Sequence, residues 1–174
     1  MKKTDIKRLG MSAMLIAVGL VLPFFTGHIP KIGNMMLPMH IPVFICGFIC
    51  GWKYGAVVGF VLPLLRSVIF GMPVLYPVAA AMAVELATYG LVCGLIYYHS
   101  KRSIISIYVS MIAAMISGRI LWGIAEVALL GIKGNAFTWQ VFISGAFLNA
   151  IPGIILQLIV VPLIVTRIKP AARV

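Results

Sequence analysis

The sequence predicts an all-α integral membrane protein, a bundle of six transmembrane helices with both termini in the cytoplasm. Of the 174 residues, 63% are apolar and only 10% are charged, whereas soluble domains contain about 25% charged residues. The mean hydropathy is +1.14. Because the apolar residues occur in runs separated by short basic clusters, we expect one multi-pass domain in the lipid bilayer, residues 1–174.

Six apolar runs account for the predicted helices. A transmembrane helix needs about 20 predominantly apolar residues, and the second run is short for that, so residues 41–71 could instead form one bent span. The basic start of the chain resembles a signal peptide, but the apolar run after it is long and no convincing cleavage site follows. We therefore expect the first helix to be retained. The runs cover about residues 9–25, 41–51, 54–71, 76–98, 104–131 and 138–166.

The distribution of Lys and Arg favours six spans over five. With six spans and a cytoplasmic N-terminus, ten of the 14 Lys and Arg residues lie in cytoplasmic segments and two lie outside, in agreement with the positive-inside rule. With five spans, Lys101, Arg102 and the basic C-terminus could not share a side with the N-terminus. Membrane topology thus explains the formal charge of +11, and we expect no nucleic-acid partner.

Small residues recur at four-residue spacing within several runs. Gly47, Gly51, Gly55 and Gly59 form one such series. This spacing lets helix backbones approach closely, which is how helices pack in a membrane without a hydrophobic driving force. We expect these glycines to pack helices inside the bundle.

The three cysteines, Cys46, Cys50 and Cys93, all lie inside apolar runs. Cys46 and Cys50 are four residues apart and share a helix face, but a metal site needs further ligands nearby and none are present. We expect the cysteines to pack as small apolar residues and predict no metal site.

Glu85 is the residue that the membrane composition does not explain. It is one of only three acidic residues and stands within the apolar stretch "AMAVELATYGL". In the six-span topology it lies about 9 residues, or roughly 14 Å, below the outer end of its helix. Tyr89 follows one turn later on the same face. Other polar residues that this topology places in the outer half of the membrane are Arg66, Arg119, Glu126 and Asn149, whereas Gln157 falls outside that half.

Two interpretations of these intramembrane charges remain open. A charge at the bilayer centre costs about 3 kcal/mol on insertion scales and is tolerated when it faces protein, a partner charge or water. The two acids and two bases could neutralise one another as structural ion pairs, or they could line an outward-open pocket that binds a small polar solute. Both interpretations are correct if the ligand and the ion pairs share one hydrogen-bonded network. Further candidate contacts at the outer rim are His40, Tyr76 and Trp122, although membrane-interface positions are as common for such residues.

The sequence contains none of the motifs that would indicate catalysis. It has no G-x-x-x-x-G-K-[ST] phosphate loop, no H-E-x-x-H or H-x-x-E-H metal signature, and no plausible serine–histidine–acid set. With three acids in all, most intramembrane hydrolase or transferase chemistry lacks its acid–base groups. We expect no enzyme activity and no cofactor in this chain.

Residues 39–98 resemble the substrate-binding S component of energy-coupling factor (ECF) transporters. The matching features are "HIPV" at the start of the second run, the glycines of "GWKYGAVVG", "GMP" before the fourth run and "ELATYGL" within it. The six spans and the small size extend the resemblance over most of the chain, although it is less specific after residue 100.

The resemblance implies a function and a set of partners. S components of bacterial plasma membranes capture a vitamin or related micronutrient from outside the cell, and a T component and two ATP-hydrolysing subunits supply the energy. Ala13 and Ala17 match the A-x-x-x-A motif of the family's first helix, which packs against the T component. The ligand site is expected among the outer halves of helices four to six and the loops.

The ligand and one rival function stay open at the level of sequence. Arg66 or Arg119 suits a carboxylate or phosphate, so pantothenate or a pyridoxine- or pyrimidine-type solute would fit loosely. The rival is a small proton- or ion-coupled secondary carrier that works as a homo-oligomer, with Glu85 or Glu126 binding the coupling ion. A third interpretation, a membrane scaffold without transport, leaves the polar cluster unexplained.

Overall fold

The computed structural model describes residues 3–26, 37–132 and 150–168, and these residues form six α-helices. No strand occurs in these ranges. A short π-helical turn, Leu75–Ala79, leads directly into the fourth helix. The helices are α1 Lys3–Thr26, α2 His40–Ile49, α3 Trp52–Phe70, α4 Ala80–His99, α5 Ile104–Ile132 and α6 Ile151–Arg167.

The all-helical prediction is confirmed, and the helix count fits six. Four segments of the described chain are long and apolar enough to cross a membrane, while α2 and the described part of α6 are shorter apolar helices. The first half of the predicted sixth run, residues 138–149, lies outside the described ranges. The orientation of the termini stays a prediction. The four long segments are Thr4–Phe25, Trp52–Phe70, Leu75–His99 and Ile104–Leu130.

The second and third apolar runs form two separate helices and not one bent span. Gly51, between α2 and α3, adopts a φ of +100°, a conformation that residues with a Cβ rarely adopt. The chain then reverses direction and brings Gly55 against Gly47. A Cβ on Gly55 would lie 2.7 Å from the Cα of Gly47. In one continuous helix these two residues would be roughly 12 Å apart.

All ten residues of α2 are buried, since it packs against α1, α3, α4 and α6. This explains why its sequence is apolar on every face. At about 15 Å, α2 is too short to cross the hydrocarbon core of roughly 30 Å. It is the central element of the bundle and carries His40 at its first position.

Glycines bring the backbones of α3 and α4 into direct contact. A Cβ on Gly59 would lie 2.2 Å from the carbonyl oxygen of Leu86, and a Cβ on Gly90 would lie 2.2 Å from the carbonyl carbon of Gly55. Farther along, a Cβ on Gly94 would lie 2.6 Å from the Cα of Trp52. The predicted close packing is confirmed at these positions, and Gly51 instead forms the turn.

Replacing Gly90 by Ala should destabilise the bundle, because the new methyl group meets backbone that cannot rotate away. We expect a loss of about 1–3 kcal/mol in the free energy of unfolding. Gly10→Ala is the matched control, since nothing lies within 4 Å of a Cβ at that position. Thermal unfolding in mild detergent measures both variants. Equal transition temperatures for Gly90→Ala and Gly10→Ala would contradict the described α3–α4 contact.

Candidate functional site

Four buried polar side chains meet in the bundle core. Arg119 Nη1 lies 3.1 Å from Glu85 Oε1, and the hydroxyl of Tyr89 donates a 2.9 Å hydrogen bond to the same oxygen. His40 Nε2 lies 3.8 Å from it. Helices α2, α4 and α5 thus converge on one carboxylate oxygen. We call these four residues the Glu85 cluster.

The local sequence places each member of the cluster. Glu85 and Tyr89 are one turn apart and share a face of α4. The ring of Tyr89 stacks on Phe44 of α2, with centroids 5.1 Å apart and an interplanar angle of 29°. Gly118 of α5 leaves room for that ring, since a Cβ there would lie 2.1 Å from Tyr89 Cε1. The next residue, Arg119, is therefore brought against α4.

The charged members of the cluster are buried. Glu85 is 2% exposed and Arg119 is 7% exposed. A buried ion pair of this kind is a weak source of stability, because the loss of hydration offsets most of the attraction. Removing one partner is costly, however, because the other charge is then left buried and uncompensated. The pair consequently constrains α4 and α5 to remain together.

Several hydrogen-bonding atoms of the cluster have no partner within the described ranges. They are Nε and Nη2 of Arg119 and both ring nitrogens of His40. The 3.8 Å separation of His40 from Glu85 exceeds hydrogen-bond length. An unsatisfied buried polar group costs about 1–3 kcal/mol. The arrangement is therefore suited to a further group that accepts hydrogen bonds.

Arg66 lies apart from the cluster. Its Nη1 donates a 2.6 Å hydrogen bond to the carbonyl oxygen of Leu20 in α1. Its guanidinium also lies over the rings of Phe24 and Phe70, 5.1 and 5.5 Å from their centroids. These contacts tie α3 to α1. In the described chain, Arg66 thus has a structural role that the sequence did not indicate.

The remaining predicted site residues are distributed over α5 and its neighbours. The hydroxyl of Tyr76 donates a hydrogen bond to the carbonyl oxygen of Leu129, which joins the π-helical turn to α5. Trp122 is half-buried on α5, and Glu126 is buried there without a cation within ion-pair distance among residues 3–26, 37–132 and 150–168. Asn149 lies outside the described residues. Of the predicted network of two acids and two bases, the described chain forms only the Glu85–Arg119 pair.

Comparison with known families identifies the chain. Residues 7–165 match the family described as ECF transporter, substrate-specific component. The chain belongs to this family. The matched region includes most of α1 and all of α2 to α5, so the resemblance recognised in residues 39–98 is confirmed and extended. A comparison with curated protein sequences finds no match.

Membership of the ECF substrate-specific components makes the chain a subunit of a membrane transporter and not a member of an enzyme family. Among the described residues, no three His, Cys, Asp or Glu side chains lie close enough together to hold a metal ion. The polar groups that the described core offers to a solute are therefore hydrogen-bond donors and acceptors.

In this ECF component, Ala13 and Ala17 lie on the exposed face of α1. Exposed apolar side chains of Met14 and Val18 flank them, while Ser12 and Leu15 face the core. The pair therefore does not pack within the described bundle. Exposed small residues of this kind would let another helix approach α1 closely.

Sequence reasoning left Gln157 out of the candidate site. It is 1% exposed on α6, and its Nε2 has no hydrogen-bond partner in the part of the chain that the structure describes. The signal in the sequence is an amide in the middle of an apolar helix. The topology placed it below the other polar residues, which is why the depth argument set it aside.

The Glu85–Arg119 pair generates a prediction about stability. Glu85→Gln and Arg119→Gln should each destabilise the protein by about 3–5 kcal/mol, because each leaves one buried charge uncompensated. The double variant has no such charge, and its loss should be smaller than the sum of the single losses by about 1–3 kcal/mol. Chemical or thermal unfolding of all three variants in one detergent gives the coupling.

Ser110→Ala provides the control for that cycle. Ser110 is also buried on α5, but its hydroxyl donates only to the carbonyl oxygen of Ser106 in its own helix, at 2.6 Å. Combined with Glu85→Gln, it should give additive losses. If the loss of stability in the Glu85→Gln/Arg119→Gln double variant also equals the sum of the two single losses, the two charges do not stabilise each other.

Proposed function

We propose that this ECF component captures a small polar micronutrient from outside the cell through the Glu85 cluster and delivers it to a partner energy-coupling module. The observation that carries this proposal is the set of hydrogen-bonding groups on Arg119 and His40 that have no partner among the described residues and lie beside a buried ion pair. A core built for packing alone would satisfy or omit these groups. Intramembrane ionisable residues are by default candidates for a transport function.

The chemistry of the cluster favours a ligand that carries acceptor oxygens. Nη1 of Arg119 pairs with Glu85, whereas Nε and Nη2 have no hydrogen-bond partner in the described ranges. These two nitrogens lie on one edge of the guanidinium. One edge can donate two parallel hydrogen bonds to a carboxylate, or single bonds to a carbonyl or hydroxyl oxygen. His40 supplies further polar atoms from a different helix. A small solute with a carboxylate or carbonyl group and additional polar groups therefore suits the site.

Glu85 and Tyr89 hold the guanidinium in place in this proposal. Glu85 neutralises the charge of Arg119 when no ligand is bound, which makes burial tolerable. Tyr89 donates to the same carboxylate oxygen and is itself fixed by stacking on Phe44. Pre-organised donors reduce the ordering cost of binding. High affinity for a small solute is consistent with such an arrangement.

Delivery to the cell interior requires energy that this chain does not supply. The sequence has no phosphate loop for ATP, and ECF substrate-specific components work with a T component and ATPase subunits. The exposed small-residue face of α1 at Ala13 and Ala17 supports a helix contact with the T component. ATP is used by the partner subunits in this account.

Native mass spectrometry on the purified chain tests ligand capture. Protein from cells grown in rich medium should carry one additional small-molecule mass, because capture needs no energy module. Arg119→Lys retains the charge but cannot present the guanidinium edge, so it should lose that mass or weaken its retention at least about tenfold. Ser110→Ala should retain it.

A ligand-free wild-type chain that stays bare after incubation with a panel of vitamins would contradict capture. Equal retention by wild type and Arg119→Lys would show that the ligand binds elsewhere. Because Lys preserves the ion pair with Glu85, loss of folding is checked by comparing unfolding temperatures of the two proteins.

Contact with the T component is tested by Ala13→Leu. The larger side chain should prevent close helix approach and abolish recovery of the T and ATPase subunits in a pull-down, while the ligand mass is retained. Ala128→Leu, at an exposed position on α5, is the matched control and should leave the pull-down unchanged. A surviving complex with Ala13→Leu would contradict the assignment. Uptake by the chain alone in liposomes under a proton gradient would support the secondary-carrier alternative.

A further inference from the structure

A cavity of about 400 Å³ lies away from the Glu85 cluster, where the start of α1, the turn between α2 and α3, and the end of α4 meet. Gly94 and Tyr97 belong to its lining. They are 9 and 12 residues beyond Glu85 along α4, or roughly 14 and 18 Å. The positive-inside pattern assigns this end of the bundle to the cytoplasm. Its volume falls within the range of about 300–1,000 Å³ typical of small-molecule sites.

The lining of this cavity is strongly basic. Arg8, Lys53 and Arg102 contribute three positive charges and Asp5 contributes one negative charge. Two of the cations are held over aromatic rings: Lys53 Nζ lies 5.3 Å from the Trp52 ring centroid, and the Arg102 guanidinium lies 5.7 Å from that of Tyr98. Such contacts orient a cation. The net positive charge favours an anion.

The start of α3 adds to the positive potential. Gly51 is its N-cap residue and provides no side-chain hydrogen bond to the first turn. The first residues of α3 line the same cavity as the three cations. Backbone N–H groups at an uncapped helix start carry partial positive charge, and they suit a phosphate oxygen.

The cavity is also amphipathic. Its floor includes the buried side chains of Phe48, Ile49 and Tyr97. Its rim includes Lys53 and Arg102, which are exposed, and Tyr98, which is 62% exposed. A free phosphate would gain nothing from an apolar floor, whereas a phosphate attached to a glycerol and acyl chains would contact both surfaces.

We propose that this cavity binds the phosphate headgroup of an anionic phospholipid from the cytoplasmic leaflet. That leaflet carries the negative lipids, and basic pockets between transmembrane helices on that side are suited to their headgroups. The phosphate contacts Arg8, Lys53 and Arg102, and the glycerol region lies against the apolar floor. Because the site joins α1 to the α2–α3 turn and the end of α4, a bound lipid links these three segments at the membrane surface.

The test measures lipid retention by the full-length chain. Protein is reconstituted in nanodiscs with equal amounts of phosphatidylglycerol and phosphatidylcholine, released, and examined by native mass spectrometry. Wild type should retain one phosphatidylglycerol in preference to phosphatidylcholine. Each of Arg8→Gln, Lys53→Gln and Arg102→Gln should lower that preference about fivefold, and the triple variant roughly 100-fold. Lys7 and Lys101 are exposed basic residues next in sequence to Arg8 and Arg102, and they do not line the cavity. Lys7→Gln and Lys101→Gln should therefore leave the lipid preference unchanged.

Two further binding measurements distinguish a lipid phosphate from a soluble phosphate compound. Inorganic phosphate and glycerol 3-phosphate are added to lipid-depleted protein, and neither should bind with the affinity of phosphatidylglycerol. Tight binding of either, with the same dependence on Arg8, Lys53 and Arg102, would overturn the lipid assignment in favour of a soluble phosphate compound. Equal retention of the two lipids by wild type, or equal effects of the lining and control variants, would overturn the site itself.

Discussion

The buried ion pair between Arg119 and Glu85 constrains the rest of the bundle. Neither charge is stable alone in the membrane interior, so α4 and α5 must keep the one relative position in which Nη1 and Oε1 lie 3.1 Å apart. Gly118 permits that position by accommodating the Tyr89 ring. The same carboxylate oxygen receives the Tyr89 hydroxyl. Packing and electrostatics therefore select the same helix arrangement.

Close backbone contact between α3 and α4, on the side of α4 that does not carry the Arg119 contact, leaves room for α2 in the centre. Gly59 and Gly90 allow α3 and α4 to touch, and the turn at Gly51 lets α2 fold back against both. The short α2 then presents His40 to the cluster from within the bundle. A polar cluster is thus assembled in the interior from three helices, while the large exposed side chains of α5 remain apolar.

Hydropathy predicted most of the described fold, because each of the first five apolar runs corresponds to one described helix and residues 151–166 of the sixth run lie in α6. Depth along the helices brought Glu85, Tyr89 and Arg119 together correctly, since it needs only topology and a rise of about 1.5 Å per residue. Depth did not distinguish Arg66 from Arg119. Which base meets Glu85 depends on the rotation of α3 and α5 about their axes, and that rotation is set by glycine contacts between helices. The buried amide of Gln157 was set aside for a different reason, because the topology placed it below the other polar residues.

The most direct test of the central claim, that the Glu85 cluster is the ligand site, is ¹⁵N-histidine NMR of the labelled protein in detergent. The chain has only three histidines, and His40→Gln assigns the signal of His40. Adding the metabolite that copurifies with the chain should shift the ring ¹⁵N signals of His40 and leave those of His99, at the end of α4, unchanged. Stoichiometric binding with unshifted His40 signals would contradict the account and place the ligand outside the cluster.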